Sequence, residues 1–321
     1  MKKVRVGVIG VGYLGQYHAE KYAGIDEVEL VGLMDADQVR ASQIAGKLKT
    51  QAFIDPARLI GKVDAVSIVT PTVLHYRIAK QFLEQGVHVL LEKPMTETID
   101  QADELINLAA RKNAVLQVGH IERFNPAFTS VKSLMARPRY ITAERAAPFT
   151  VRCTDVNVVL DLMIHDLDIV TDLAGSAPKE ISAAGVSIIT REIDMAMARI
   201  VFHNGCVADV SASRVSDEKK RCLRVFDDKA VYVSDYQTQK ATVSRAQPGS
   251  VPQLIVTDIS SDRRDTLDDE IRAFVQSVQG GVRPLVSGIE GRRALSLALA
   301  ITNSIEHGIT GFVPVSERGV S

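Results

Sequence analysis

Lys93 stands between Glu92 and Pro94, directly after an apolar run at 87–91. A lysine pinned between a strand end and a proline sits on stiff backbone, which suits a positioned acid–base group. On position alone a solvated surface lysine fits equally well. A second constellation is Asp161-Leu162-Met163-Ile164-His165-Asp166-Leu167-Asp168. Four apart on an α-helix, Asp161 and His165 share a face, and a carboxylate beside an imidazole can relay a proton. Taken alone, helix acidity and a hydrogen-bonded histidine explain that segment at least as well. The third is the frame Gly10-x-Gly12-x-x-Gly15, with Tyr13 and Leu14 inside it and Asp35 20 positions after Gly15. Gly10 permits a tight turn, Gly12 lets backbone approach a pyrophosphate, and Gly15 lets a helix approach a strand. The helix N-terminus offers unpaired N–H groups to the phosphates. Asp35 would accept a ribose 2′-hydroxyl and repel a 2′-phosphate, which points to NAD. Arg40, a helical turn on, leaves dual use with NADP open.

Such groups need a scaffold that gathers strand ends. Apolar, β-branched segments at 3–9, 28–34, 63–69, 87–91 and 115–118, with a short one near 52–54, alternate with helical patterns at 13–22, 38–48, 74–84 and 98–111. That alternation implies a parallel sheet covered on both faces, with ligands outside the carboxyl ends of the strands. Three segments fall there: the glycine turn, Thr70-Pro71-Thr72-Val73-Leu74-His75, and Glu92-Lys93-Pro94. Past Gly119, helical signals at 126–135 and 155–173 precede strand upon strand over 180–233, the mark of an antiparallel sheet. Residues 241–264 read as a polar hairpin or loop, and two helices close the chain near 267–279 and 290–306. The expected fold is an α/β Rossmann domain over 1–120. An α+β domain with an open, mainly antiparallel sheet follows over 121–321, with the C-terminal helices packing back on the first domain. The later strands carry apolar or small residues on both faces, so a second copy of the chain is expected against one of them, in a homodimer or homotetramer.

The composition is that of a globular protein: 321 residues, 46% hydrophobic and 24% charged, with 38 basic and 39 acidic residues. A net charge of −1 gives no basic excess for nucleic acid and no polybasic run for a membrane surface. No segment reaches the ~18 apolar residues of a membrane span. Cys153, Cys206 and Cys222 form no C-x-x-C pair, so neither a metal site nor a disulfide framework is expected, and reduced cysteines fit a cytoplasmic protein.

Together the glycine turn, the TPxxxH of Thr70–His75, the EKP of Glu92–Pro94 and the DxxxH of Asp161–His165 resemble the Gfo/Idh/MocA oxidoreductases. The closing stretches DEIRAFVQSVQGG and PLVSGIEGRRALSLALAI resemble that family's ending. The resemblance implies NAD-dependent oxidation or reduction of a secondary alcohol on a sugar or cyclitol. It implies that Lys93 and His165 are catalytic with Asp161 in support, and that Glu92 and His75 line the cofactor site with Thr70 and Pro71. A lysine starts near ~10.4 and a histidine near ~6.5, and the residues alone leave open which of the two is the base. Within the family, VGHIERFNPA with VVLDLMIHDLDIV is similar to the subgroup oxidising the 3-hydroxyl of UDP-N-acetylglucosamine, whose product goes to an aminotransferase. On that reading His120, Glu122, Arg123 and Asn125 line the substrate site with Asp161 and His165. The bland alternative is that Arg123 pairs with a neighbouring carboxylate. Two rival functions stay open: a relative acting on inositol or another nucleotide sugar, and a non-catalytic NAD-sensing protein of the same fold.

Overall fold

A computed structural model describes residues 3–150, 156–247, 253–308 and 313–314; Cys153 lies outside them. The chain divides into two compact units, residues 1–121 with 265–292 and residues 122–264 with 293–321.

The first unit is built on six strands, β1 (Val4–Ile9), β2 (Val28–Met34), β3 (Gln51–Phe53), β4 (Ala65–Ile68), β5 (His88–Leu91) and β6 (Leu116–Val118). They pair in the order β3-β2-β1-β4-β5-β6, all parallel. This is the doubly wound order, with its topological switch between β1 and β4. The connecting helices are α1 (Tyr13–Ala23), α2 (Gln38–Leu48), α3 (Thr72–Glu84) and α4 (Ile99–Lys112). Local chemistry sets their ends. The Asp37 and Thr98 side chains accept from the backbone N–H of Arg40 and Gln101, and Lys49 and Asn113 close α2 and α4 in the left-handed conformation. Helix α7 (Thr266–Gly280) also belongs to this unit. Its Leu267, Ile271, Phe274 and Val275 join Val6, Val8, Ala19 and Tyr22 in one core.

The second unit carries α5 (Pro126–Leu134), α6 (Ile164–Ala174) and the strands β7 (Tyr140–Ala146), β8 (Pro178–Val186), β9 (Met195–Phe202), β10 (Val207–Ser213), β11 (Lys220–Phe226), β12 (Ala230–Asp235), β13 (Lys240–Gln247), β14 (Gln253–Asp258) and β15 (Val313–Pro314). They form one open sheet in the order β14-β13-β12-β11-β7-β10-β9-β8-β15. All its pairs are antiparallel except β7 with β10. Alternate residues, such as Ala196, Ala198, Ile200 and Phe202 of β9, are buried in its core. Helix α8 (Gly288–Glu306) begins with residues of the first unit, but its Ala294, Leu297, Ala298 and Ile301 belong to the core of the second. Of the two closing helices, α7 alone lies wholly in the first unit.

Strand β7 is the element that the sequence pattern does not announce, although it sits at the centre of the sheet. Its buried positions are Ile141, Ala143 and Arg145, and an inward arginine breaks the apolar alternation that marks a strand. The helix expected over 155–173 is also different. Over Val159–Met163 the chain makes a π-helical turn before α6 begins. Among the described residues no helix is long and apolar enough to cross a membrane.

Phe274 of α7 is fully buried in the first unit's core. Phe274→Ala is expected to destabilise that unit by about 3–5 kcal/mol, read as a lower urea midpoint.

Candidate active site

The glycine turn joins β1 to α1, and its three glycines do different work. Gly10 has φ +84°, and a Cβ there would lie 2.4 Å from the Val69 carbonyl oxygen. A Cβ on Gly15 would lie 1.8 Å from the Gly10 carbonyl oxygen. Those two are demanded by the chain itself. At Gly12 the nearest atom to an added Cβ is Arg40 Nη1 at 3.9 Å, so the fold does not need a glycine there. An open cradle over a helix start that no side chain caps fits a dinucleotide's phosphates. Tyr13 and Leu14, on the first turn of α1, are exposed.

Asp35 follows β2 and is buried. Its Oδ2 accepts the Val11 N–H at 2.8 Å and its Oδ1 the Asp37 N–H at 2.9 Å. The acid that the pattern assigns to the ribose therefore also ties down the glycine turn. Arg40 Nη1 lies 3.7 Å from Asp35 Oδ1 and Arg40 Nη2 3.1 Å from Asp37 Oδ2.

At the ends of β4 and β5, His75 bridges two loops: its ring nitrogens lie 2.8 Å from the Thr70 and Pro94 carbonyl oxygens. Burial pushes His75 below the usual histidine range against those two carbonyls. Both ring nitrogens are engaged inside the protein, which ties the loop after β4 to the loop after β5. Pro71 caps α3, and the Thr70 hydroxyl is buried without a partner.

Glu92 and Lys93 leave the end of β5. The Glu92 carboxylate accepts the Lys93 N–H at 3.3 Å and lies 3.3 Å from His18 Nε2. A Cβ on Gly119 would come within 2.7 Å of it, so the glycine after β6 makes its room. Burial pushes Glu92 up, but His18 and Lys93 outweigh it and hold the group below the usual carboxylate range. His18, Tyr22, Ser67, Gln117 and Glu270 around it went unremarked in the sequence, because their burial is a tertiary property. Lys93 itself is half-buried and His120, after β6, is buried.

In the second unit, Asp161 lies on the π-helical turn and His165 on the first turn of α6, both half-buried. A π turn adds a residue per turn, so the two do not stand in the i, i+4 relation of a regular α-helix. The residues expected to meet substrate beside them are arranged otherwise. Arg123 Nη2 donates to Asp168 at 3.0 Å and Nη1 lies 2.6 Å from Asp172, with the residue 3% exposed. Asn125 caps α5 through the Ala127 N–H, and its amide donates to Glu122 and to the Tyr236 carbonyl. Glu122 accepts Arg145 Nη1 at 3.0 Å, and Arg145 also forms a two-pronged pair with Asp166 at 2.7 and 3.1 Å. In this structure the polar groups of Glu122, Arg123 and Asn125, expected to line the substrate site, all serve a buried network, and the bland pairing of Arg123 is the one observed. Asp168 and Asp172, four apart on α6, were the readable signal for it.

Arg145 and Arg123 thus clamp α6 from different sides, Arg145 at Asp166 and Arg123 at Asp168 and Asp172. Burial alone would push both guanidiniums down, but the facing carboxylates more than offset it and both are held charged. Losing one partner of such a buried pair costs about 3–5 kcal/mol, so α6 and the His165 it carries are rigidly placed.

Comparison with known proteins agrees with this reading. Residues 4–120 match the oxidoreductase family's NAD-binding Rossmann fold, and residues 150–314 match its C-terminal alpha/beta domain. The chain is 40% identical over 310 residues to the UDP-N-acetylglucosamine 3-dehydrogenase of Acidithiobacillus ferrooxidans, covering 95% of this chain and 98% of that protein. A solved structure of that enzyme superposes with a TM-score of 0.90 at 38% identity, covering 96% and 99% of the two chains. The scyllo-inositol 2-dehydrogenase (NAD(+)) of Bacillus subtilis is 27% identical over 328 residues, 96% of this chain and 95% of that one.

Gly12→Ala should cost less than about 1 kcal/mol of stability yet weaken NAD binding by about tenfold or more. Gly15→Ala should instead destabilise by about 1–3 kcal/mol or more, since the added methyl has nowhere to go. Thermal melts with and without NAD separate the two.

Proposed function

Because the chain belongs to the Gfo/Idh/MocA oxidoreductase family and is an NAD-dependent oxidoreductase acting on CH–OH groups, we propose that it oxidises the 3-hydroxyl of UDP-N-acetylglucosamine to a 3-keto sugar nucleotide. The observation that carries this reading is the 40% identity, over nearly all of both chains, to an enzyme of that name. The inositol dehydrogenases that the chain also resembles over nearly its whole length stand at 25–28%, and two that match little more than half of it at 30%. The product is a ketone, the kind of substrate an aminotransferase consumes.

Bound NAD⁺ supplies the hydride acceptor. The glycine turn and the start of α1 would hold its phosphates, and Asp35 would hold its ribose. The hydride leaves the substrate carbon only if the hydroxyl proton leaves as well, and we assign that proton to Lys93 Nζ, with the His165 imidazole completing the relay and Asp161 supporting it. A neutral lysine is a competent acceptor, and an ammonium left beside the new carbonyl oxygen stabilises it. With Arg123 and Asn125 engaged inside the second unit, the substrate contacts assigned here are His120, Asp161 and His165.

The sheet of the second unit presents its outer face, with Met197 exposed on β9 and Leu254 and Val256 exposed on β14. We assign its cover to a second copy of the chain. Sedimentation at micromolar concentration should then show a dimer or tetramer, and a 34.9 kDa species alone would refute that cover.

NADH should appear with UDP-N-acetylglucosamine, the labile ketone being trapped by a carbonyl reagent. Lys93→Met should lower turnover at least ~10²-fold while NAD still binds. Turnover of free inositol with none of the nucleotide sugar would move the substrate assignment to the inositol dehydrogenases.

A further inference from the structure

Around Glu92 the first unit buries a string of polar groups for which the dehydrogenase reading has no task. Tyr22 and His18 come from α1, Ser67 from β4, Gln117 from β6 and Glu270 from α7, and all five are 0% exposed. Most of the string is joined up. Tyr22 Oη lies 2.8 Å from Ser67 Oγ, Ser67 Oγ 3.4 Å from His18 Nδ1, and His18 Nε2 3.3 Å from Glu92 Oε1.

Glu270 is the exception. Neither of its carboxylate oxygens has a hydrogen-bond partner. The Gln117 amide donates to the backbone carbonyl of Glu270, at 3.2 Å, and not to its side chain. Among the described residues no cation answers it. The titratable groups that face it are Tyr22 from α1 and Glu92 from the end of β5, while Ser67 and Gln117 are neutral. The one ionisable side chain of β1, Arg5, is taken by Asp64, and on α7 itself Arg272 is held by Asp268 and Asp265 by Lys21. A carboxylate with no donor, buried beside a second carboxylate, cannot keep its charge cheaply. Burial pushes Glu270 well above the usual carboxylate range, and the charge of Glu92 adds to the push.

We propose that Glu270 is carried as a neutral carboxylic acid and acts as a positioning residue, its missing charge leaving Glu92 as the single buried anion that holds the Lys93 backbone and faces His18. The link to turnover rests on the reading of Lys93 as the proton acceptor; the protonation of Glu270 does not.

The sign of the pH effect follows. Below the unfolded value, near ~4.3, folded and unfolded chains both hold the proton and nothing is lost. As pH rises, the unfolded chain releases it while the folded chain keeps it, so stability falls until pH passes the folded value. Glutamine carries no such liability. The melting temperature of Glu270→Gln minus that of the wild type should therefore be smallest at pH 5 and widen in favour of the variant by about 2–4 °C or more by pH 8. In a Glu92→Gln background the widening should shrink, because the neighbouring charge is gone. Should that background fail to fold, infrared spectra of the single variant decide: the wild type at pH 7.5 should show a protonated-carboxyl C=O band that Glu270→Gln lacks. With substrate, the alkaline fall in turnover should move to higher pH in Glu270→Gln. Lower melting of Glu270→Gln at pH 8, a widening unaffected by Glu92→Gln, no carboxyl band in the wild type, or superimposable activity profiles would each overturn the proposal. The melts and spectra need no substrate, so a wrong substrate assignment would show itself separately.

Discussion

The Glu92 carboxylate fills the space that Gly119 leaves by having no side chain, and the ligand end of the first unit is arranged around that fit. The group is a carboxylate in a buried place, which is costly unless donors surround it. Here the donor is the backbone N–H of Lys93, and the ring of His18 stands 3.3 Å away as an ion-pair partner. Both come from segments that must be exact for function: the strand-end loop bearing Lys93 and the helix that opens at the glycine turn. One buried charge thereby couples the helix that opens at the glycine turn to the loop bearing Lys93. Gly119 is as much a part of this as the acid, since any side chain there would push the carboxylate out.

The second unit solves a related problem with the opposite charge. Arg123 and Arg145 are buried cations, each matched to two carboxylates, and they grip α6 from different sides, at Asp168 and Asp172 and at Asp166. A hydrophobic repacking could be at least as stable, because desolvating charges is expensive. What ion pairs of this geometry provide is definition: a planar guanidinium gripping a carboxylate by two hydrogen bonds fixes direction as well as distance. His165 sits on a helix held in that way, next to a π-helical turn that sets Asp161 on a different spiral.

Much of this was legible beforehand where a residue's role follows from its neighbours in the chain. The glycine frame, the strands around it and Asp35 are local patterns with one physical interpretation. The doubly wound sheet followed from apolar strands alternating with helices. Strand β7 was not legible, because its inward Arg145 is matched by acids on distant segments, Glu122 and Asp166. For the same reason Arg123 read as an available cation: a sequence shows that a charge is present, not whether it already has a partner. Glu270 was invisible in another way, as one acid among several in an amphipathic helix, singled out only by the face of α7 that is buried.

Asp35 closes both the chemistry and the architecture of the cofactor end. Its oxygens accept the N–H groups of Val11 and Asp37, so the residue proposed to choose between cofactors also pins the glycine turn. Replacing it to admit a phosphorylated ribose would release the turn at the same stroke. For lineages descended from such a chain, the taste for one cofactor is thus heritable as a matter of architecture. A change of preference at this position therefore carries a structural cost at Val11 and Asp37 that the cofactor contact alone would not impose.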